Sequence, residues 1–253
     1  MDLGGKTALI TGGTRGLGLA MARRLASAGG LVALNYAGDD DAAAAAVAQI
    51  EGEGGRAFAV RAKLGGERQA TELAQVLDAG LMERTGSDRL DILVNNIGGG
   101  GYATIRDVDE EFYDRHFANN LRGAFFLTRA LHPRLADMGR VINISSAGAR
   151  LTDPGIIVYT MAKAALEAFT RVMAAELGPR GITVNAVAPG FTAGDTNLHV
   201  TEDPEKARAV IEATALRRFG TPEEIADIVH ALASPAGRWV TAQVIDASGG
   251  FRL

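Results

Sequence analysis

Short apolar runs alternate with helix-forming segments along the chain, and this alternation constrains the fold more than any other feature of the sequence. The apolar runs of β character are 6–10, 31–36, 57–61, 90–95, 141–145, 183–188 and 244–246. The helical segments are 19–26, the alanine-rich stretch that the acidic run 39–41 opens, 67–84, 110–136, 158–177 and 222–233. Repeated strand–helix units with apolar strands predict an α/β fold in which one parallel sheet is covered by helices on both faces.

The segment between the first strand and the first helix is rich in glycine. Its spacing at 11–18 is Thr-Gly-x-x-x-Gly-x-Gly rather than the commoner G-x-G-x-x-G. Glycines let the backbone approach a pyrophosphate, and a helix N-terminus offers free N–H groups and the positive end of its dipole. We interpret the segment as a dinucleotide cradle rather than a turn that only reverses the chain, and predict a doubly wound sheet of the Rossmann type. The expected cofactor contacts here are Gly12, Thr14, Arg15, Gly16, Leu17 and Gly18.

Length and composition limit the remaining possibilities. The 253 residues contain no linker or break in composition, so 1–253 is expected to form a single domain. The net charge of −4 argues against a nucleic-acid surface. The chain has no cysteine and four scattered histidines, so no metal site is expected. No signal peptide precedes the first strand and no apolar run reaches the ~18 residues of a membrane helix, so we expect a cytoplasmic protein without membrane contact.

A second group of residues points to proton transfer. Tyr159 and Lys163 stand four residues apart on one predicted helix, so their side chains share a face. A cation near a phenol favours the phenolate and lowers a pKa that is about 10 when unperturbed, which lets the phenol exchange a proton with a carbonyl or alcohol oxygen. Ser146 lies thirteen residues before Tyr159, after a predicted strand. A Tyr-x-x-x-Lys pair is common by chance and gains meaning only beside a cofactor site.

Seven motifs in order carry a family resemblance. They are TGGTRGLG (11–18), NNIG (95–98), Asn120 before Leu121, Ser146, YTMAK (159–163), VNAVAPG (184–190) and RRFGTPEEIA (217–226). With these motifs the chain resembles the short-chain dehydrogenase/reductases over nearly its whole length. Within that family it looks most like bacterial 3-oxoacyl-carrier-protein reductases, which grade into polyketide ketoreductases and secondary-metabolite reductases.

The resemblance implies catalytic roles for Tyr159, Lys163 and Ser146. Tyr159 is the expected proton donor in reduction, and Lys163 is expected to lower the Tyr159 pKa and to hydrogen-bond the nicotinamide ribose. Ser146 is expected to donate a hydrogen bond to the substrate carbonyl, an interaction that strengthens as charge develops on that oxygen. The family interval of thirteen residues favours Ser146 over Ser145, which is then a structural neighbour.

An asparagine completes the set that the resemblance implies. Asn120 matches the family residue that holds a helix open and positions a water linking Lys163 to solvent. The Asn-Leu pattern favours Asn120 over Asn119, which is then an ordinary helix residue.

Charge at the second strand predicts the cofactor to be NADP(H). An NAD enzyme usually places an acid at the end of this strand to bind the ribose 2′-hydroxyl, and the residue there is Tyr36. Arg15 can meet a 2′-phosphate with its planar guanidinium, and Asn35 can add a hydrogen bond. Asp39, two residues beyond the strand, is the acid that could contradict this prediction.

The resemblance implies further cofactor contacts. The sequence departs from the family pattern at three places among them. Lys63 replaces an aspartate that commonly contacts adenine, which shifts that contact to the backbone or to Leu64. Ile97 replaces an alanine within the Asn-Asn-x-Gly motif and precedes four glycines. The nicotinamide threonine is displaced, with Thr192 and Thr196 as candidates. The remaining expected contacts are Asn96, Gly98, Tyr159, Lys163, Pro189 and Gly190.

The substrate is the least determined part. The polar segment 191–216 corresponds to a mobile lid in the family. A 3-oxoacyl or polyketide-like carbonyl compound fits, free or attached to a carrier protein, and so does another small cyclic or secondary-metabolite ketone. Arg180 matches a basic position of carrier-protein reductases, whereas Asp137 stands where another base is expected.

Assembly and non-redox roles complete the expectations. The resemblance implies a homotetramer, with 110–136 and 158–177 in a bundle between subunits. An intact Ser/Tyr/Lys set argues against a non-catalytic nucleotide-binding regulator. The short length and the form of the glycine loop argue against an epimerase of the extended relatives.

Overall fold

The computed structural model describes residues 3–194 and 197–253, and its central feature is a seven-stranded parallel sheet in the order β3-β2-β1-β4-β5-β6-β7. The predicted α/β fold is therefore confirmed. The strands are β1 Thr7–Thr11, β2 Leu31–Tyr36, β3 Arg56–Arg61, β4 Leu90–Asn95, β5 Leu135–Ile144, β6 Thr183–Pro189 and β7 Val244–Ala247.

Helices cover both faces of the sheet. They are α1 Gly16–Ser27, α2 Asp40–Gly52, α3 Glu67–Thr85, α4 Glu110–Phe117, α5 Gly123–Leu131, α6 Ile157–Leu177, α7 Leu198–Thr201, α8 Pro204–Ala213 and α9 Pro222–Ala233. In the described ranges, no helix has the length and hydropathy needed to cross a bilayer.

The core lies on both sides of the sheet because neighbouring residues of a strand point to opposite faces. In β1, Ala8 and Ile10 pack with α1, α2 and α9, whereas Leu9 packs with α3, α5 and the end of α6. A strand buried on both faces needs apolar residues throughout, which explains the continuous apolar runs of the sequence.

The chain reverses its direction across the sheet at β1. Strand β2 pairs with one side of β1, and β3 adds outside β2. The chain then returns, and β4 pairs with the other side of β1. In open α/β sheets this reversal leaves a crevice at the carboxyl ends of the strands, where ligands bind. The predicted glycine segment follows β1 and therefore lies at this crevice.

The predicted helix over 110–136 is wrong at two places. A π-helical turn, Ala118–Arg122, separates α4 from α5, and the helix ends at Leu131. Pro133 explains the end, because it has no backbone N–H to donate the next helical hydrogen bond and its ring crowds the carbonyl of the preceding turn. Strand β5 also begins at Leu135 rather than at 141, since Leu135 pairs with Leu90 before an irregularity shifts the register.

The predicted lid, 191–216, contains α7 and α8 and has a small apolar core of its own. Val200 and Val210 are buried against Phe251 near the C-terminus, with Leu151 packed on the same cluster. The lid is therefore less polar than its sequence suggested, because its few apolar residues converge. Asp195 and Thr196 lie outside the described residues.

Candidate active site

Helix α6 holds the predicted tyrosine and lysine beside each other. Tyr159 lies in the first turn, and the Nζ atom of Lys163 lies 5.8 Å from the centre of the Tyr159 ring. Lys163 is only 3% exposed, and its Nζ donates a hydrogen bond of 2.8 Å to the carbonyl oxygen of Ile144, the last residue of β5. The strand end thus fixes the ammonium close to the phenol.

Burial controls the protonation of both groups. It raises the pKa of Tyr159, and a hydrogen bond with Ser146 opposes this effect. It lowers the pKa of Lys163 to about 8, and the Glu167 carboxylate one turn further along α6 opposes this effect. In this structure desolvation of the phenolate dominates, so the Tyr159 pKa lies above its usual value, and the expected lowering by Lys163 stays a prediction. A phenol that keeps its proton suits a proton donor.

The two neighbouring serines have different surroundings. The Ser145 hydroxyl is buried and donates a hydrogen bond of 2.7 Å to Oε1 of Glu167. Ser146 Oγ accepts a hydrogen bond of 3.0 Å from the Gly148 amide, and a Cβ on Gly148 would lie 3.1 Å from the Tyr159 ring. The structure therefore brings Ser146 to Tyr159 and leaves Ser145 bonded to α6, as the sequence interval predicted.

Asn120 lies in the π-helical turn and ties a glycine loop to the site. Its Nδ2 donates hydrogen bonds of 2.9 Å to the carbonyls of Gly99 and His116, and its Oδ1 accepts one from the Gly99 amide. A Cβ on Gly98 would lie 2.7 Å from Asn120 Oδ1 and 2.9 Å from Lys163 Nζ. The neighbouring Asn119 is exposed. Asn120 therefore holds the glycine loop against Lys163, a contact that the sequence pattern did not reveal.

The glycine segment after β1 forms a cradle that side chains would fill. Gly12 has a φ of +63°, in the left-handed region that favours glycine. A Cβ on Gly18 would lie 2.0 Å from the Gly12 carbonyl oxygen, so the first turn of α1 can pack here only as glycine. Asn96 closes the other side by donating a hydrogen bond of 2.8 Å to the Thr11 carbonyl. The residues present fit a pyrophosphate at the start of α1.

The two residues predicted to bind the 2′-phosphate lie in different surroundings, one exposed and the other buried. Arg15 is exposed just before α1, and its guanidinium makes no hydrogen bond or ion pair with the described residues. Asn35 is fully buried, and its Nδ2 donates to the carbonyls of Val60 and Ala62 in and after β3. The prediction that Asn35 binds the phosphate is therefore not supported, because its donors hold two strands together.

A charged cluster that the sequence did not reveal lies beside Tyr36. The Tyr36 hydroxyl donates a hydrogen bond of 2.7 Å to Asp40, whose other oxygen accepts one of 3.0 Å from Arg61. Tyr36 and Arg61 are partners in the pairing of β2 with β3. Asp39 caps α2 by accepting a hydrogen bond from the Ala42 amide, so its carboxylate serves the helix. Arg61 reaches this cluster because the register of β2 and β3 places it beside Tyr36, and the sequence alone does not give that register.

The remaining predicted contacts lie at the same edge of the sheet. Lys63 is exposed just beyond β3, and Leu64 lines a small cavity with Ile97. Pro189 ends β6, and a Cβ on Gly190 would lie 2.8 Å from Ser248 Cα. Thr192 is buried, and its hydroxyl donates a hydrogen bond of 3.2 Å to the Gly190 carbonyl. The alternative, Thr196, lies outside the described residues.

Comparisons with known proteins find one matching family and several similar structures. A family model described as enoyl-(acyl carrier protein) reductase matches residues 12–252. A solved structure of the promiscuous reductase LugOII, which catalyses keto-reduction at C1 during lugdunomycin biosynthesis, is 46% identical, with complete coverage of both chains and a TM-score of 0.94. The angucycline C-6 ketoreductase LanV, solved with bound NADP, is 43% identical over 99% of this chain and 97% of that one, with a TM-score of 0.94. The 3-oxoacyl-[acyl-carrier-protein] reductase of Synechocystis sp. is 37% identical over 97% of this chain and 96% of its own.

Proposed function

Because the chain belongs to the short-chain dehydrogenase/reductase family, an oxidoreductase family, we propose that it reduces a ketone to a secondary alcohol with NADPH. The substrate in this proposal is a polyketide-like or 3-oxoacyl carbonyl compound. The observation that carries the proposal is the meeting of Ser146, Tyr159 and Lys163 at the carboxyl ends of the strands, the same edge as the glycine cradle.

Tyr159 and Ser146 act on the carbonyl oxygen. When bound, NADPH supplies a hydride to the carbonyl carbon. Tyr159 gives its hydroxyl proton to the oxygen, so hydride and proton together convert the ketone to the alcohol. Ser146 donates a hydrogen bond to the same oxygen, which is worth more as that oxygen gains negative charge. The raised pKa of Tyr159 keeps its proton in place until the substrate oxygen becomes basic.

Lys163 and Asn120 support return of the proton. With a pKa of about 8, Lys163 can both hold and release a proton near neutral pH. Asn120 fixes the glycine loop directly beside the ammonium. These contacts support a path by which the proton lost from Tyr159 is replaced from solvent.

NADPH is favoured over NADH by charge at the predicted 2′-phosphate position. Arg15 is exposed and unpaired within the described residues, whereas the acids nearby are engaged, Asp39 in a helix cap and Asp40 with Tyr36 and Arg61. Two solved structures of similar proteins support this choice, since LanV was solved with NADP and a blue fluorescent protein from a metagenomic library was solved with NADPH.

The relatives give the substrate proposal its direction. LanV and LugOII are described as ketoreductases of angucycline and lugdunomycin compounds, and the Synechocystis relative acts on an acyl-carrier-protein substrate by name. The basic surface expected for a carrier protein is weak here, because Arg180 is paired with Asp137 at 2.9 Å. This pairing favours a free polyketide-like ketone; another small cyclic carbonyl compound is the alternative.

The test is loss of NADPH absorbance with a panel of a β-ketoacyl thioester, a cyclic diketone, a quinone and simple ketones, repeated with NADH. We expect turnover of at least one class with NADPH. The Tyr159→Phe variant should lose most of this turnover and still bind NADPH, since it removes only the proton donor. Cofactor binding without turnover of any ketone would favour a non-catalytic regulator, and near-normal turnover by Tyr159→Phe would contradict the mechanism.

We also propose a homotetramer in the cytoplasm, the compartment that suits an NADPH-dependent reductase. Apolar side chains are exposed on the helices expected to form a bundle, among them Tyr113, Phe125 and Val172, and Trp239 near β7 is 95% exposed. Exposed apolar patches mark interaction sites. Sedimentation at micromolar concentration should show an assembly of four chains, and a single species of 26.4 kDa would refute it.

A further inference from the structure

The ring of Tyr102 packs directly against Gly155, which we call its seat. Any side chain at position 155 would have to displace the ring. A Cβ built on Gly155 would lie 2.0 Å from both Cε2 and Cζ of the Tyr102 ring, far inside contact distance. The backbones on either side are joined, because the Ala103 amide donates a hydrogen bond of 2.8 Å to the Gly155 carbonyl. Ala103 also forms an isolated parallel bridge with Ile156. The main chain beside Tyr102 is therefore held against the Gly155 segment, and one end of the ring packs on this glycine.

The same ring remains open to solvent. Tyr102 is 75% exposed, although one end of the ring rests on Gly155. Its hydroxyl forms no hydrogen bond with the residues in the described ranges. A large aromatic side chain that packs at one end and is otherwise uncovered is suited to receive a ligand, because an aromatic ring offers a large contact area at a low cost in side-chain freedom.

The two segments that meet at Tyr102 and Gly155 both lead to the candidate active site. The loop that carries Tyr102 begins at Gly98, which touches Lys163 and Asn120, and Gly155 precedes Tyr159 by four residues. A few residues of chain therefore connect the ring to Gly98, beside Lys163, and a few more connect Gly155 to Tyr159. We expect a substrate whose carbonyl reaches Tyr159 to extend along one of these two segments.

We propose that the Tyr102 ring, seated on Gly155, is a stacking surface that selects flat, fused-ring ketones over small or flexible ones. This inference rests on the proposed reductase function and narrows its substrate class. Aromatic rings attract one another in offset-stacked or edge-to-face arrangements, and an extended flat ligand gains more from such a surface than a small diketone does. The free hydroxyl gives the ring a polar edge for substituents of the ligand.

Four substitutions separate the ring, its seat and the loop. Tyr102→Ala removes the ring, and Tyr102→Phe keeps the ring without the hydroxyl. Gly155→Ala keeps Tyr102 but displaces the ring, and the fold should tolerate it because the obstructing atoms belong to the exposed end of a side chain. Gly100→Ala is the matched control, since it makes the same change in the same loop where a Cβ would meet nothing within 4 Å.

Two probes share reactive chemistry and differ in flat surface. Phenanthrene-9,10-quinone and butane-2,3-dione are both vicinal dicarbonyls, and each is assayed with NADPH without oxygen. We expect Tyr102→Ala and Gly155→Ala each to raise the KM for the quinone about tenfold, the effect of losing one aromatic contact. The KM for butane-2,3-dione should remain within twofold. Tyr102→Phe and Gly100→Ala should leave both values within about twofold of the parent.

A binding measurement decides the inference without turnover. Anthraquinone-2-sulfonate, a flat tricyclic probe, is titrated calorimetrically into each variant with NADP⁺ present, and its Kd should weaken about tenfold in the same two variants. Failure of the parent to reduce either dicarbonyl would contradict the proposed function and leave this measurement in force. The inference is overturned if the parent does not bind the probe, if Gly100→Ala weakens binding equally, or if Tyr102→Ala alters sedimentation and not binding.

Discussion

Replacing Lys163 by methionine should stabilise the cofactor-free protein near neutral pH while abolishing its turnover. The ammonium is buried beneath Tyr159, and burial lowers its pKa from 10.5 to about 8. The folded state therefore opposes the charge that Lys163 carries in the unfolded chain. Methionine has a similar unbranched shape and carries no charge, so it removes this opposition.

The magnitude follows from the two pKa values. A fall from 10.5 to about 8 corresponds to about 3 kcal/mol against the charged ammonium in the folded state. The unfolded chain binds more protons than the folded chain between these values, so the stability of the parent rises with pH across this window. The advantage of Lys163→Met is therefore greatest below pH ~8 and disappears above pH ~10.5. Loss of the hydrogen bond to Ile144 subtracts about 1 kcal/mol at every pH.

Urea unfolding of parent and variant at pH 7, 8, 9 and 10 measures this difference. We expect the free energy of unfolding of Lys163→Met relative to the parent to fall by about 2 to 3 kcal/mol from pH 7 to pH 10. Lys63→Met is the control, because Lys63 is exposed and the same substitution there removes no buried charge. A difference between Lys163→Met and the parent that stays constant with pH would refute the argument that burial destabilises the charge.

Three further substitutions test the cofactor site and the surroundings of Lys163. Arg15→Ala should raise the KM for NADPH roughly tenfold to a hundredfold by removing a charge-assisted hydrogen bond, with little change for NADH; an equal effect on both cofactors would show that Arg15 does not bind the 2′-phosphate. Gly18→Ala places a Cβ 2.0 Å from the Gly12 carbonyl oxygen, so the Kd for NADPH measured by titration should weaken at least about tenfold, and unchanged binding would argue against the cradle. Glu167→Gln removes a carboxylate that raises the pKa of Lys163, so the alkaline limb of the kcat profile should move to lower pH; a profile that keeps its position would limit Glu167 to a structural role.

Two pairs of adjacent residues, the serines at 145 and 146 and the asparagines at 119 and 120, show what motifs in the sequence can distinguish. The family resemblance favoured Ser146 over Ser145 by its thirteen-residue interval to Tyr159, and Asn120 over Asn119 by its Asn-Leu pattern. In the structure Ser146 is hydrogen-bonded to Tyr159 and Asn120 is buried at the glycine loop. The end of the helix after Leu131 was also readable in principle from Pro133, but the apolar pattern concealed it.

The sequence by itself determined the parallel α/β sheet, the glycine cradle and the spacing of the serine, tyrosine and lysine, because each follows from local periodicity and backbone sterics. Only the tertiary structure decided what those groups experience. Burial raised the pKa of Tyr159, strand pairing placed Arg61 beside Tyr36, and contacts with β3 occupied the donors of Asn35. Desolvation and hydrogen-bond partners depend on residues distant in the chain, so they exist only once the sheet has assembled.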